Sequence, residues 1–318
     1  MKVAIIGAGG IGCYYGARLQ KAGHEVTYVA RGEHLRALQK KGLTLTHPNF
    51  SFKGPVDAVD LKGLVTQHKC EDFDLIILTV KSIATAEVMS ELSDWLREDD
   101  CPILSLQNGV DNEQIIADYV GVSRTLGGLA VRIGGHIIKP GVIEATGVAQ
   151  VHFGQWPTCT EFHCNHGLLD TLYVAFVDAD IDATLSDNIQ YELWRKLLIN
   201  NGVNPISAVV ELDTKRITGD PVLGKYVYQI MQETARASHF DGVSLSQRDV
   251  DEMFDLISNF DAIKTSMLVD LEKGRSLELN DICGAVISRC EKLNQPAEVT
   301  TLFDKLVRVK CEQRGIVL

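Results

Sequence analysis

Three polar residues recur at every fourth position in WRKLLINNGVNP (194–205), namely Lys196, Asn200 and Asn204. Residues four apart lie on one face of a helix, so this spacing aligns an ammonium group with two amides. The leucine, isoleucine and valine residues around them favour partial burial of this face. A desolvated lysine beside a substrate oxygen can act as a general acid. The alternative is a solvated helix face that ends at Pro205.

A carboxylate partner for this lysine is sought downstream, in SMLVDLEKGRSLE (266–278). Ser266 begins this stretch and Glu278 ends it, after a charged turn centred on Gly274. The chain has 42 acidic residues, so Glu278 has no significance by itself. It becomes a candidate only together with Lys196.

The N-terminus carries a second group of candidates, in the G-x-G-x-x-G spacing of residues 7–12. The spacing follows a predicted strand and begins a predicted helix, as in dinucleotide-binding folds. Gly7 permits the tight turn, Gly9 lets the backbone approach a pyrophosphate, and Gly12 allows close packing of helix on strand. The helix N-terminus offers its N–H groups to the phosphates. The candidate cofactor-binding residues are Gly7, Gly9, Gly10, Ile11 and Gly12.

A positive charge ends the second predicted strand, in VTYVARGEH (26–34). Arg31 stands nineteen positions after Gly12, where an NAD enzyme carries an acidic residue for the ribose 2′-hydroxyl. A guanidinium can instead pair with a 2′-phosphate and stack on the adenine, which favours NADPH over NADH. The alternative is a surface arginine paired with Glu33.

Two further polar residues end the third and fourth predicted strands, Lys81 and Asn108. Ligands of open α/β sheets bind beyond the carboxyl ends of the strands, so both residues should face the cofactor crevice. Asn108 is followed by Gly109, and Asn-Gly is also a common turn dipeptide. The two residues become candidate site residues because both end strands at the same predicted edge of the sheet.

The elements that must position these residues divide the chain into two parts. Strand and helix signals alternate over the first 110 residues, which predicts a parallel sheet covered on both faces. Further strand signals extend to residue 182, and amphipathic helices dominate afterwards. We therefore predict an α/β protein with an N-terminal Rossmann-type doubly wound sheet, residues 1–182, and an all-α C-terminal domain, residues 183–318. The strand segments are KVAIIGAG, EVTYVAR, DLIILTV and PILSLQNG, then TLGGLAVRIG, KPGVIEATG, VAQVHFGQ and YVAFVDADI.

Composition excludes several classes of function. A net charge of −11 gives no support to a nucleic-acid or membrane-surface role. MKVAIIGAGG has the pattern of a buried strand rather than of a signal peptide, and no apolar stretch approaches the roughly 18 residues of a membrane span. We therefore expect a cytoplasmic protein whose partner is a small molecule, with a homodimer as a further expectation.

The cysteines raise the question of a metal. Eight are scattered along the chain, and most are expected to be buried thiols. CTEFHCNH (159–166) brings Cys159, His163, Cys164 and His166 together, but the Cys-x4-Cys spacing is loose and no second ligand pair follows. We expect a polar loop there and no metal site.

Together these motifs resemble the ketopantoate reductase family, the 2-dehydropantoate 2-reductases, over nearly the whole chain. The matching segments are GAGGIG (7–12), Arg31, VKS (80–82), LQNGV (106–110), KPGVIE (139–144), WRKLLINNGVNP (194–205) and SMLVDLEKGRSLEL (266–279). The resemblance implies NADPH-dependent reduction of 2-dehydropantoate to (R)-pantoate, on the route to pantothenate and coenzyme A. It also implies a substrate cleft between an NADPH-binding Rossmann domain and a helical domain.

The resemblance assigns roles to the candidates. Lys196 would protonate the developing alkoxide and Glu278 would orient the lysine and the reacting oxygen. Asn200, Asn204 and Ser266 would bind the substrate. Asn108 and Lys81 would lie where nicotinamide and substrate meet.

Some positions depart from the family pattern. Ile263 stands where members often have asparagine, LELND (277–281) replaces a TEID-like run, and Asp111 replaces a common glycine. Ile263 would remove a hydrogen bond to the distal hydroxyl of the substrate, and Asp111 would add negative charge near an anionic substrate. The alternatives are therefore a reductase of another 2-oxo acid, similar to D-2-hydroxyacid dehydrogenases, and a non-catalytic NADP-sensing protein.

Overall fold

The computed structural model describes residues 1–158 and 166–318 and divides the chain into two compact units. The first comprises Met1–Gln107 with Asn112–Ile189, and the second comprises Asn108–Asp111 with Gln190–Leu318. The assignment of cofactor binding to residues 1–182 and of catalysis to residues 183–318 stays a prediction.

The first unit is built on one mixed sheet. Within the described residues its strands run in the order β4-β3-β9-β8-β7-β6-β1-β2-β5, with β10 beside β9. From β5 to β8 neighbouring strands are parallel, whereas β9 pairs antiparallel with β8 and β4 antiparallel with β3. The predicted Rossmann-type sheet is thus confirmed. The strands are β1 Lys2–Ile6, β2 Glu25–Val29, β3 Leu43–His47, β4 Phe50–Gly54, β5 Asp57–Val59, β6 Leu75–Leu78, β7 Ile103–Ser105, β8 Thr125–Lys139, β9 Val142–Gln155 and β10 Asp182–Leu185.

Apolar residues on both sides of the central strands explain why the sheet is buried. Val3 and Ile5 of β1 belong to one apolar cluster, and Ala4 and Ile6 belong to another. Successive side chains of a strand point to opposite faces, so each cluster covers one face of the sheet. A continuous apolar strand such as β1 is therefore stable only between two layers of helices.

The second unit contains helices and the turns between them but no strand among its described residues, which confirms the predicted all-α part. Six α-helices belong to the first unit, and the other seven belong to the second apart from Ile189, the first residue of α7, counted over residues 1–158 and 166–318. They are α1 Gly10–Lys21, α2 Gly32–Lys41, α3 Leu61–Gln67, α4 Thr85–Leu96, α5 Asn112–Val120, α6 His166–Asp178, α7 Ile189–Val210, α8 Thr214–Gly219, α9 Leu223–Ser238, α10 Gln247–Asn259, α11 Ser266–Glu272, α12 Ala285–Lys292 and α13 Glu298–Gln313.

Two sequence predictions about these elements are wrong. The segment YVAFVDADI was predicted as a strand, but most of it belongs to α6. Leu169, Leu172 and Phe176 are buried, and their spacing of three and four follows the period of a helix. The strand signal also continues beyond the predicted boundary at residue 182, because β10 pairs in parallel with β9.

No helix in the described part of the chain is long and apolar enough to cross a membrane.

Candidate active site

The glycine-rich turn joins β1 to α1. Gly7 has a φ of +104°, which favours glycine, and its carbonyl accepts a 2.7 Å hydrogen bond from Thr79 Oγ1. A Cβ atom on Gly12 would lie 2.5 Å from the Gly7 oxygen, whereas a Cβ on Gly9 would find its nearest neighbour at 3.9 Å. No described side chain caps the N-terminus of α1. The space beside Gly9 and the uncapped N–H groups fit the pyrophosphate of a dinucleotide.

Gly10 and Ile11 have packing roles in the same turn. A Cβ on Gly10 would lie 2.0 Å from the carbonyl carbon of Gly135, so α1 begins in direct contact with β8. The half-buried Ile11 packs against the apolar cluster on one face of the sheet. Their side of the turn therefore packs on the sheet, and cofactor contact by these two residues stays a prediction.

Arg31 lies two residues after β2, at the N-cap of α2. Its side chain is exposed, and it forms no ion pair with any residue in the described ranges. Glu33, the alternative partner suggested by the sequence, lies 4.0 Å from Arg36 instead. The guanidinium is therefore suited to an anionic ligand at the end of β2.

Lys81 follows β6 closely and is half-buried. Val80, which precedes it, packs on the glycine turn, because a Cβ on Gly7 would lie 2.5 Å from the Val80 nitrogen. Gln107 Nε2 donates to the Val80 carbonyl at 2.9 Å and to Thr85 Oγ1 at 2.8 Å. A buried amide thus holds the backbone before Lys81 beside the glycine turn.

The face of α7 carries the three residues that the sequence aligned. α7 is continuous across all of them, so the predicted common face of Lys196, Asn200 and Asn204 is confirmed. Lys196 and Asn200 are half-buried, and Asn204 is only 4% exposed.

Asn204 has an unusual environment. Its Nδ2 atom is buried and has no hydrogen-bond partner among the described residues. Buried amides are nearly always hydrogen-bonded, because an unmade bond costs free energy. A polar ligand at this position would supply the missing acceptor.

Glu278 and Asn108 come together within the second unit. Asn108 Nδ2 donates to Glu278 Oε2 at 3.1 Å. Both side chains are half-buried, and Glu278 lies just before a π-helical turn at Asn280–Gly284. Of the predicted site residues, Lys81 belongs to the first unit and Asn108 to the second.

Ser266 and Ile263 lie on the approach to α11. Ser266 is the exposed first residue of this helix, and Thr265 caps it by accepting a 3.2 Å hydrogen bond from the Leu268 N–H. Ile263 is 42% exposed, and its backbone exchanges two hydrogen bonds with Thr214. The Ile263 side chain is therefore accessible to a ligand.

Asp111 differs from the sequence expectation. Its carboxylate accepts a 2.6 Å hydrogen bond from Arg289 Nη2. An arginine therefore balances the charge of Asp111. This corrects the sequence expectation that Asp111 adds negative charge near the substrate. Burial alone would lower the pKa of Arg289, but hydrogen bonds to Asp241 and Asp111 raise it above the ordinary arginine value.

The segment CTEFHCNH (159–166), for which we expect a polar loop and no metal site, lies mostly outside the described residues, which include only His166 of its four cysteine and histidine residues. No group of three or more histidine, cysteine, aspartate or glutamate side chains within residues 1–158 and 166–318 could hold a metal ion. The cysteines described there are buried, as predicted: Cys13, Cys70, Cys101, Cys283, Cys290 and Cys311.

Sequence reasoning missed Arg289 and Gln107. Gln107 stands beside Asn108 in the segment QNGV. Its position at the end of a predicted strand could have indicated a role near the site. Arg289 lies within an amphipathic helical pattern, where a charged residue normally indicates a solvated face. No feature of the sequence indicates that its side chain is only 12% exposed.

The strand order, the glycine turn and the helical second unit define a protein of the Rossmann-type dinucleotide-binding class. The family described as "Ketopantoate reductase PanE/ApbA" matches residues 3–158, and its C-terminal counterpart matches residues 188–310. The chain belongs to the ketopantoate reductase family, a family of oxidoreductases.

Curated relatives agree with this membership. The chain is 28% identical over 310 residues to the 2-dehydropantoate 2-reductase of Pyrococcus abyssi, with 98% of each chain covered. It is 30% identical over 312 residues to that of Archaeoglobus fulgidus, with 96% of this chain and 97% of the relative covered.

Solved structures show the same fold. A PanE/ApbA family ketopantoate reductase from Ralstonia eutropha has a TM-score of 0.86 at 26% identity, over 99% of this chain and all of the other. A D-mandelate dehydrogenase, solved with NADH and anilino(oxo)acetate, has a TM-score of 0.87 at 22% identity over the full length of both chains. At that identity the likeness concerns the fold alone.

Proposed function

We propose that the protein catalyses NADPH-dependent reduction of 2-dehydropantoate to (R)-pantoate, within pantothenate and coenzyme A biosynthesis. The observation that carries this proposal is the polar face of α7 in a ketopantoate reductase family member. That face combines the half-buried Lys196 with the buried Asn204 Nδ2 atom, which has no hydrogen-bond partner among the described residues. A 2-oxo acid would require a proton donor and amide contacts of this kind.

Lys196 is the proposed general acid. A nicotinamide held by the glycine turn would supply the hydride, and the carbonyl oxygen of the substrate would then gain negative charge. Lys196 stabilises the developing negative charge and transfers a proton to this oxygen. Because the charge exists only as the reaction proceeds, the lysine stabilises the transition state more than the neutral ketone.

Glu278 and Asn108 are the proposed orienting pair. The hydrogen bond from Asn108 holds the Glu278 carboxylate in one orientation, and this carboxylate would orient the lysine or the reacting hydroxyl. Asn200 and Asn204 bind the substrate from the α7 face, and Ser266 at the start of α11 binds its carboxylate.

NADPH is the proposed cofactor. The turn from Gly7 to Gly12 would hold the pyrophosphate, with Gly9 in closest approach and Gly10 and Ile11 positioning α1. The exposed Arg31 just after β2 would bind the 2′-phosphate. Lys81 would contact the nicotinamide half from the end of β6.

A second candidate function is the reduction of another 2-oxo acid, in the manner of a D-2-hydroxyacid dehydrogenase. The observation that favours it is the exposed apolar side chain of Ile263, where family members often carry asparagine. An isoleucine cannot bind a distal hydroxyl, so it suits a substrate without one. A non-catalytic NADP sensor is a third and weaker candidate, because Lys196 and Glu278 are both retained.

A turnover assay tests these candidates. NADPH consumption is followed with 2-dehydropantoate and with 2-oxo acids that lack the 4-hydroxyl, each repeated with NADH. Turnover of 2-dehydropantoate that prefers NADPH supports the leading proposal. Turnover confined to the other acids supports the second candidate, and tight NADPH binding without any turnover supports the sensor.

Lys196→Gln is the key variant. It should reduce kcat by about 100-fold or more, in line with the loss of general acid catalysis, and leave NADPH binding unchanged. Lys225→Gln, at an exposed position on α9, is the matched control and should retain wild-type turnover. Equal kcat values for Lys196→Gln and the control would exclude Lys196 as the acid.

The remaining expectations stay proposals. A cytoplasmic location is tested by cell fractionation, and a homodimer by sedimentation velocity.

A further inference from the structure

Arg289 on α12 is a buried cation with several partners. Its side chain is 12% exposed. Nη2 donates to Asp111 Oδ1 at 2.6 Å and Nε donates to Asp241 Oδ2 at 2.8 Å. The guanidinium carbon lies 5.3 Å from the ring centroid of Trp194, within the range of a cation–π contact.

The partners of Arg289 lie on segments that carry proposed catalytic groups. Asp111 is three residues after Asn108, in a turn where Gly109 has a φ of +100°. Asn108 donates to Glu278. Trp194 stands two residues before Lys196 on α7. One guanidinium therefore contacts both the turn that supports Glu278 and the helix that carries the lysine.

A purely structural role would not need this arrangement. The contact with Asp241 alone would give the buried arginine a counter-charge. The second contact joins Arg289 to Asp111, in the same short turn that carries the hydrogen bond from Asn108 to Glu278. Charge-assisted hydrogen bonds from a planar guanidinium fix orientation as well as distance.

We propose that Arg289 and Asp111 form a positioning latch, which holds the turn 108–111 so that the Asn108 amide stays aligned with the Glu278 carboxylate. The latch deepens the proposed function and rests on it, because Glu278 is the carboxylate that orients the acid and the reacting oxygen. Neither latch residue is assigned contact with substrate. Asp111 then replaces the usual glycine to complete this latch.

Kinetic analysis of single and double variants tests the latch. Asp111→Ser is chosen because serine is a favoured residue immediately before a helix such as α5, which begins at Asn112, but is too short to reach Arg289. Asp111→Ser and Arg289→Gln should each lower kcat by about 10- to 100-fold, the scale of a small misplacement of a catalytic group. The double variant should fall no further than the worse single variant, because both changes open the same latch.

The matched control is Asp241→Asn. It removes a charge from the same arginine but does not alter the turn, so kcat should stay within about three-fold of wild type even where the melting temperature falls. The Kd for NADPH should be unchanged in every variant. If Asp241→Asn lowers kcat as much as Asp111→Ser does, Arg289 acts only on stability and the latch proposal is wrong.

A readout without turnover separates the latch from the proposed function. Protein labelled with ¹⁵N in asparagine side chains gives an amide signal for Asn108, assigned by its absence in Asn108→Asp. Asp111→Ser and Arg289→Gln should shift and broaden this signal, and Asp241→Asn should leave it in place. An unmoved signal overturns the latch, whereas wild-type inactivity with a shifted signal overturns the proposed function alone.

Discussion

Arg31 is the residue on which cofactor choice depends. We expect Arg31→Ala to weaken NADPH binding by about 10- to 100-fold, the value of one charge-assisted phosphate contact, and to leave NADH binding unchanged. Titration of each cofactor by protein fluorescence measures both effects. Arg36→Ala is the matched control, since Arg36 is also exposed on α2 but pairs with Glu33. Equal losses for NADPH and NADH in Arg31→Ala would count against a 2′-phosphate contact.

Two buried asparagines on α7 give a second prediction. Asn201 Nδ2 donates to Thr234 Oγ1 at 2.9 Å, whereas Asn204 Nδ2 has no partner in the described part of the chain. Asn201→Leu should therefore cost about 1–3 kcal/mol of unfolding free energy, and Asn204→Leu should cost less than about 1 kcal/mol. Asn204→Leu should instead raise the KM for the 2-oxo acid by about ten-fold, the value of one lost hydrogen bond. Denaturant titration and steady-state kinetics separate the two effects, and a strongly destabilised Asn204→Leu would contradict them.

Sequence alone could indicate candidate site residues but not their environments. The i, i+4, i+8 spacing of Lys196, Asn200 and Asn204 fixes their common face, because helical geometry is local. The partners of Arg289 could not be predicted, since Asp111 is 178 positions away in the chain. Contacts of that separation depend on tertiary packing and leave no local period.

At the scale of the element, the turn before α1 allows two glycines to be distinguished. A Cβ at Gly12 would lie 2.5 Å from both the Gly7 oxygen and Thr79 Oγ1, so Gly12→Ala should cost about 1–3 kcal/mol through overpacking. Gly9 has a φ of −82° and open space around it, so Gly9→Ala should fold normally and lose dinucleotide affinity. Thermal unfolding without cofactor and a binding titration compare the pair. Unimpaired dinucleotide binding by Gly9→Ala would show that the pyrophosphate does not bind beside Gly9.

The start of α10 gives a prediction about pH. Burial alone would raise the pKa of Asp249, but hydrogen bonds from Tyr191 and Ser246 lower it below the ordinary aspartate value. A lowered pKa in the folded state means that the stabilisation is complete above the unfolded pKa of about 4 and is lost as pH falls through the folded pKa. Asp249→Asn should therefore lose about 1–3 kcal/mol at neutral pH and show less of this acid dependence. Asp255→Asn, exposed on the same helix, is the control, and denaturant midpoints between pH 3 and 7 provide the measurement.

The elements show why some of the fold could be predicted. Apolar runs followed by glycine or polar residues identify β1 and β6, and the helical period identifies α7 and α9. The same approach failed at α6, because a short run rich in valine, alanine and phenylalanine suits a strand as well as a buried helix. The tertiary structure decides for a helix, because Leu172 and Phe176 pack in the apolar cluster on one face of the sheet.

At the scale of the whole molecule, net charge and local charge have opposite signs. The chain carries −11, yet both proposed ligands are anions. Screening at physiological salt limits such charges to about 8 Å, so exposed distant acids contribute little at the site. Arg31, Lys81 and Lys196 can therefore determine ligand binding despite the acidic total.

Cofactor binding should stabilise the folded chain in proportion to affinity. At about 100 times its Kd, NADPH should add roughly 2.7 kcal/mol by linkage, which raises the melting temperature of a unit this size by about 5–10 °C. Lys196→Gln should keep this shift and Gly9→Ala should lose it, because the proton donor and the phosphate turn act at different steps. Scanning calorimetry with NADPH, NADH and no cofactor makes the measurement. If Lys196→Gln loses turnover but keeps the wild-type rise in melting temperature with NADPH, Lys196 acts in catalysis and not in cofactor binding. If that rise is lost, Lys196 binds the cofactor.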